Sequence, residues 1–143
     1  MPYEYLDDIA TADVAFIAWG ATVEELFIAA SDAVLNVMVK SLDAVERSEE
    51  RRLELESDEL EMLLFDLLQE IIFFKDADQL LLRIGSVRIR SADGSVSLTA
   101  EAFGEKIDPA KHELIVDVKA VTFHRYRVEQ TPRGWEAMVI LDI

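Results

Sequence analysis

The hydrophobic positions change period several times along the chain, and each change marks an element. Over residues 14–19 apolar side chains fill both parities: Val14, Phe16 and Ala18 alternate with Ala15, Ile17 and Trp19. That predicts a strand covered on both faces, closed by Gly20 and preceded by a short strand over residues 3–6 and a turn at Asp7 and Asp8. Leu26, Phe27, Ala30, Val34, Val37 and Met38 then recur at three- and four-residue spacing. With Thr22 as N-cap and Glu25 three residues on, the spacing predicts a helix over residues 23–39 that opens with a capping box.

A polar stretch over residues 41–50 reads as a loop. Leu53 and Leu55 alternate with Arg52, Glu54 and Glu56, so the next element is a strand with one wet face. Asp58 and Glu61 read as a second capping box. Leu60, Leu63, Leu64, Leu67, Leu68, Ile71 and Ile72 continue it as a helix over residues 59–74, ended by Asp76-Ala77-Asp78. Residues 80–90 are strand-like, with Val87 and Ile89 on one side and Arg88 and Arg90 on the other. Asp93-Gly94 is a tight-turn signal, and the return strand starts at Val96. Residues 104–113 read as a polar loop. A long strand is expected over 116–128, a turn at Thr131-Pro132-Arg133-Gly134, and a last strand over 135–143. The order predicts an α+β fold over residues 1–143, one domain, with two helices packed on one face of a largely antiparallel sheet as a two-layer sandwich.

Composition narrows the chemistry more than the architecture. The 143 residues contain no cysteine, which removes disulfides, thiolate metal sites and cysteine nucleophiles. The apolar runs are short and broken by Asp66, Glu70 and Lys75, so no membrane span is expected. The acidic start lacks the basic segment of a secretory signal, and cytoplasmic residence is the expectation. The net charge of −15 argues against direct nucleic-acid binding and permits basic proteins or multivalent cations as partners. The charge is uneven: residues 1–103 carry 22 acids and 8 bases, whereas residues 104–143 carry 7 and 6. Two different surfaces would follow, although ordinary solubility charge gives the same totals.

Several side chains could carry chemistry. Asp13 stands at the start of the first apolar strand and Asp142 at the end of the last, beside Ile143. A carboxylate there is either a turn or cap residue, or part of an oxygen-rich site for a hard cation. His112 and His124 are the two histidines. With no cysteine and no close histidine pair they do not suggest zinc, and each is either structural or a general base. Lys119, inside Asp117-Val118-Lys119-Ala120-Val121-Thr122, snorkels, pairs with a carboxylate or binds phosphate as a point charge. No glycine-rich phosphate loop, Walker, Rossmann or Gly-x-Ser-x-Gly pattern occurs. Trp19, Trp135 and the seven phenylalanines read as core rather than as a base-stacking platform, a reading that the net charge strengthens.

Taken together, the motifs resemble the archease family. The likeness starts at Thr11-Ala12-Asp13-Val14-Ala15-Phe16 with Trp19-Gly20 and passes through Thr22-x-Glu24-Glu25 and Leu60-Glu61-x-Leu63-Leu64. It continues with Gly104-Glu105-x-x-Asp108-x-x-x-His112 and Val118-Lys119-Ala120-Val121-Thr122-Phe123-His124, and ends at Trp135-x-Ala137-x-Val139-Ile140-Leu141-Asp142-Ile143. Two positions depart from the family pattern. Ala10 stands where a histidine is usual, which puts a histidine beside the metal in doubt, and Phe123 replaces a tyrosine.

The resemblance implies an activator of an RtcB-type RNA ligase rather than an enzyme. Such a protein promotes guanylylation of the ligase and its multiple turnover in tRNA splicing and RNA repair. It implies Asp13, Asp142 and the main-chain oxygen of Ile143 as ligands of a divalent metal, calcium being the usual ion and magnesium or manganese alternatives. Lys119 and His124 would assist. Glu105, Asp108 and His112 either contact the ligase or shape their loop. Two other readings stay open: a metal-dependent hydrolase of nucleotides or RNA ends, and an acidic chaperone-like binding module.

Overall fold

The computed structural model describes residues 2–6 and 13–143. The turn expected at Asp7 and Asp8, and Ala10, Thr11 and Ala12 of the first motif, lie outside the described residues. The elements run β1 (Tyr3–Leu6), β2 (Asp13–Gly20), α1 (Val23–Met38), a 3-10 turn (Leu42–Ala44), β3 (Glu49–Ser57), α2 (Leu60–Asp78), β4 (Leu80–Ala92), β5 (Ser95–Lys106), β6 (Ala120–Thr131) and β7 (Gly134–Asp142). The fold is α+β with two helices and antiparallel strands, as the sequence pattern predicts. The strands divide into two hydrogen-bonded sheets, β1-β2-β7-β6 and β3-β5-β4.

One core joins the two sheets. It combines Leu26, Phe27 and Val34 of α1, Leu63, Leu67 and Ile71 of α2, Phe16, Val139 and Leu141 of the first sheet, and Leu80, Leu98 and Ala100 of the second. α1 packs on β2 and β4, and α2 on β4 and β6. Each large apolar side chain buried there contributes about 1.5–3 kcal/mol. A smaller cluster of Ala15, Met138 and Ile140, with Leu6 and Ile17, occupies the opposite face of the four-stranded sheet. The double-faced apolar pattern of β2 therefore feeds two separate clusters.

α1 starts as expected. Thr22 Oγ1 accepts from the Glu25 amide (3.1 Å), and the Glu25 carboxylate accepts from Ala21 (2.8 Å), one residue before the cap. The second capping box does not form: the N-cap of α2 is Glu59, with no side-chain cap bond. Asp76-Ala77-Asp78 does not end this helix either. Aspartate is a mediocre helix former but not a breaker, and α2 runs through Asp78 to a left-handed Gln79 (φ 54°), whose amide bonds Phe74 O. The Asp93-Gly94 turn has positive φ at both residues, which matches the twist of the β4–β5 hairpin.

Two boundaries near the candidate residues differ from expectation. Gly104 and Glu105 belong to β5, paired with Leu82 and Leu81, rather than to a loop. β6 begins at Ala120, because the residues before it follow the helix ends instead of the sheet. The Ile115 amide bonds Met38 O (2.9 Å), and Val118 O accepts from Lys75 Nζ (2.9 Å).

Candidate functional site

β2 and β7 pair antiparallel in a register that puts Asp13 directly opposite Asp142. Directly opposed residues of such a pair lie about 4.5–5.5 Å apart at Cα, with side chains on one face. Asp13 shares parity with Ala15 and Ile17, and Asp142 with Met138 and Ile140. Both carboxylates therefore stand on the sheet face turned away from the helices, at the end of the small apolar cluster. Ala120 opposes Asp142 from β6, and the Lys119 amide donates to Asp142 O (2.8 Å). Ile143 packs its side chain onto the main core, which anchors the strand end beside the pair. Asp13, Asp142, Lys119 and Ile143 thus converge, although nearly the whole chain separates the two aspartates.

Like charges directly opposite one another on a sheet destabilise it, and among the described residues no Lys, Arg or His forms an ion pair with either aspartate. Among the described residues, the Lys119 ammonium makes no ion pair within 4.0 Å and no group of three or more His, Asp or Glu side chains clusters as a metal site. Two carboxylates and nearby main-chain oxygens suit a hard divalent cation. The donor set is thin for an enclosed protein cage. It suits an ion that keeps waters or shares ligands with a phosphate or a partner.

His124 stands apart from this convergence. It is exposed on β6 inside a register break between Thr122 and Arg127. Glu105, Asp108 and His112 form a closed clasp of their own. His112 is buried at 1% exposure; its Nδ1 accepts from the Asp108 amide (2.9 Å) and its Nε2 bonds Glu105 Oε1 (2.8 Å), which sets the Nε2–H tautomer. Asp108 Oδ1 accepts from the Ala110 amide (3.0 Å), and Asp108 O accepts from His112 N (2.7 Å). Glu105 also takes Lys111 Nζ (2.8 Å) and the Glu46 amide (3.0 Å). Both ring nitrogens of the histidine are used, one by the loop and one by the end of β5, so the clasp shapes the crossing from β5 towards β6.

The Lys111 hydrogen bond first, then the Glu46 amide and His112, hold the Glu105 carboxyl down at about 2. A lowered carboxylate stabilises the fold above its unfolded value and loses that contribution as pH falls towards 2. Acid titration of melting temperature should therefore show wild type losing stability from about pH 5 towards pH 2. Glu105→Gln should melt lower at pH 7 and show a flatter acid limb. Parallel limbs for the two proteins would contradict the clasp.

Sequence reasoning missed a second buried charge. Lys119, read as snorkelling, pairing or binding phosphate, is exposed, whereas Lys75 is buried at 7% exposure. Lys75 binds Asp117, Asp76 (2.5 Å) and Val118 O (2.9 Å). Burial pushes its ammonium down, but the hydrogen bonds to Asp117 and Asp76 outweigh burial and hold it above its usual value. The available signal was its helical spacing from Leu68, Ile71 and Ile72 on the buried stripe. Lys75→Met should cost about 2 kcal/mol, because it leaves the Val118 carbonyl without its donor. Urea unfolding measures this, and an unchanged midpoint would show the ion pair to be neutral.

A cavity of about 690 Å³ lies elsewhere, lined by Tyr3, Asp32, Asn36, Lys40, Arg83 and Glu113 among others. Its acids and bases balance. Arg83 and Asp32 approach at 3.5 Å, but Asp32 Oδ1 and Arg83 Nε lack well-formed hydrogen bonds. Burial raises the Asp32 carboxyl, and Arg83 partly offsets that. Among the described residues no helix is long and apolar enough to cross a membrane.

The chain matches the model of the Archease protein family (MTH1598/TM1083) over residues 3–143. It is 39% identical over 142 residues to the protein archease of Methanosarcina mazei, covering 99% of this chain and 95% of that one. It is 38% identical over 134 residues to the archease of Pyrococcus abyssi, covering 93% and 94%. Among solved structures, the solution structure of Methanobacterium thermoautotrophicum protein 1598 superposes with a TM-score of 0.85 at 37% identity, covering 99% of each chain. A Thermotoga maritima crystal structure described as an archease, possible chaperone, shares the fold at a TM-score of 0.63 and 21% identity, covering 94% and 93%. Matched from end to end in sequence and in fold, this chain belongs to the archease family.

Proposed function

We propose that this protein activates an RtcB-type RNA ligase, promoting its guanylylation and repeated turnover in tRNA splicing and RNA repair, and is not itself the enzyme. The observation that carries the reading is the opposed Asp13–Asp142 pair on the helix-free sheet face, half-buried at the strand ends, with no third His, Asp or Glu side chain among the described residues to complete a metal cluster. Asp13, Asp142 and the Ile143 main-chain oxygen would hold a divalent cation, calcium by family likeness, with magnesium or manganese as alternatives. When bound, the ion supplies charge stabilisation at phosphate oxygens.

The chain's own residues do the rest. The net charge of −15 steers the protein to a basic cleft built for RNA and nucleotide. The Lys119 amide fixes the Asp142 strand end, which leaves the Lys119 side chain free to meet a phosphate. His124 presents an exposed imidazole on the neighbouring strand. The clasp of Glu105, Asp108 and His112 holds the loop that leads into Lys119. Single-turnover guanylylation of the ligase, with and without this protein, tests the reading. Stimulation is expected, and none at saturating protein would sink it.

A second reading follows from the Thermotoga relative described as a possible chaperone. An acidic surface with Leu114, Ile115 and Val116 exposed could hold a basic, partly folded protein. That activity would weaken steeply with salt and ignore substitutions at Asp13 and Asp142. A hydrolase would instead show turnover with metal and substrate and no partner.

A further inference from the structure

Phe123 is the most exposed large apolar residue among the described residues, at 62%, yet it is not loose. Its ring lies parallel on Phe65 of α2, at a centroid distance of 4.2 Å and an interplanar angle of 2°, and Tyr126 packs edge-on against Phe65. Phe65 is itself 8% exposed. One face of Phe123 is therefore backed by a second ring while much of the ring remains open to solvent.

The backbone that presents it is strained. β6 loses register with β7 between Thr122 and Arg127, and Arg125 inside that break has φ 53°. The other non-glycine residues with positive φ among those described, Gln79 and Asp93, cap a helix and turn a hairpin. Arg125 alone lies within a strand, and strain of this kind collects at functional positions. The bulge is held from below: Tyr126 OH donates to Glu61 O (2.5 Å) and the Gln69 side chain accepts from the Val121 amide (2.8 Å).

The local charge opposes the whole-chain charge. Residues 118–128 carry Lys119, His124, Arg125 and Arg127 and no acid. Arg127 is tied to Glu129 (2.5 Å) and Glu136 (3.0 Å). Lys119 and Arg125 are exposed and make no ion pair within 4.0 Å among the described residues. Asp66 and Glu70 on the adjoining flank of α2 subtract from this field. The surface therefore suits one nucleotide unit rather than a long phosphate backbone.

We infer that the backed ring of Phe123 is a stacking shelf for a nucleobase, with Arg125 and Lys119 placed to meet that nucleotide's phosphate. Stacking on an aromatic ring tolerates any base, and an exposed guanidinium two residues on and an exposed ammonium four residues back suit the phosphate contact. A shelf for a partner protein's aromatic side chain would need neither cation. The ligand is a free mononucleotide or the terminal nucleotide of an RNA strand. Either departs from the expectation, drawn from net charge alone, that the chain makes no contact with nucleic acid.

The test uses the isolated full chain, labelled with nitrogen-15 and titrated with guanosine monophosphate, with a five-nucleotide single-stranded RNA, and with inorganic phosphate alone. Saturable shifts at residues 119–127 are expected with the nucleotide or the RNA, and whichever binds more tightly identifies the source. Phe123→Leu, which keeps an apolar cover on Phe65, should raise Kd about tenfold or more, and Arg125→Gln should raise it severalfold. Both variants should retain the wild-type far-ultraviolet dichroism. No saturable shift with either ligand, equal shifts with phosphate alone, or an unchanged Kd in Phe123→Leu would each overturn the proposal. So would ligase binding that needs Phe123 while no nucleotide binds. Because no ligase is present in the titration, its failure leaves the activator reading standing.

Discussion

Gly104→Ala is expected to unfold the protein or leave it barely folded. Gly104 lies in β5, the central strand of the three-stranded sheet, opposite Glu49 on one side and Leu82 on the other. A Cβ there would sit 1.7 Å from Leu81 O and 2.8 Å from Leu81 C. These are main-chain atoms, so no rotamer change relieves the clash and β4 must separate from β5. Leu80, Leu81 and Leu82 are core residues carried by that stretch of β4. The loss should exceed about 4 kcal/mol, the range of severe core disruption, against a total of about 5–15 kcal/mol for a domain. The melting temperature should fall by on the order of 15 °C, or no cooperative transition should remain. Gly94→Ala is the control. It has φ 78° and nothing within 4 Å, so only about 1 kcal/mol of conformational cost is expected. Comparable melting of the two variants would contradict the packing described at Gly104.

Asp142→Asn should have opposite effects on stability with and without a divalent cation. Without one, Asp13 and Asp142 are like charges in direct cross-strand opposition, and neutralising one removes the repulsion. The variant should then melt at or above the wild-type temperature. With the cation, the wild type should gain stability as RT ln(1 + [L]/Kd), about 2.7 kcal/mol at a hundredfold excess over Kd, and the variant should gain little. Melting curves in chelator and in calcium, magnesium or manganese measure both effects and rank the ions. A wild type indifferent to all three ions would remove the metal from the account while leaving the acidic pair in place. A variant that destabilises the apo protein would show that Asp142 is structural.

The elements themselves were legible in the sequence because their periods are strong. The buried stripe of α1 and the Asp93-Gly94 hairpin follow from local spacing and turn chemistry. The misses have two causes: a local rule read too strictly, and a tertiary partner that overrides one. Asp76-Ala77-Asp78 reads as a helix stop, but nothing in those residues forbids helix, and α2 continues to its left-handed cap at Gln79. Residues 116–119 read as strand, but Lys75 draws Asp117 and Val118 towards α2. The division of the strands into two sheets depends on pairings between distant segments, which no local pattern encodes.

The candidate site was legible as a place only through family likeness, which implies that Asp13, Asp142 and Ile143 share one ion. Asp13 and Asp142 each look like a costly carboxylate beside an apolar run. Only the β2–β7 register makes them neighbours, and only strand parity assigns them to the helix-free face. Family likeness named Lys119 without saying that its main chain, through the Asp142 carbonyl, makes the contact. His112 was open between a docking and a structural role, and its two ring nitrogens are filled by Asp108 and Glu105 within the clasp. Phe123 was read as core because aromatic residues usually are. What distinguishes it is the bulge that lifts one face of its ring to solvent.

The account's central claim is that the opposed carboxylates act on another protein's active site. Single-turnover guanylylation of an RtcB-type ligase, with saturating wild type, Asp13→Ala or Asp142→Ala protein, tests it most directly. Each variant should first be checked for cooperative melting. The account predicts strong stimulation by wild type and a rate near that of the ligase alone with either folded variant. Full stimulation by a folded variant would contradict it.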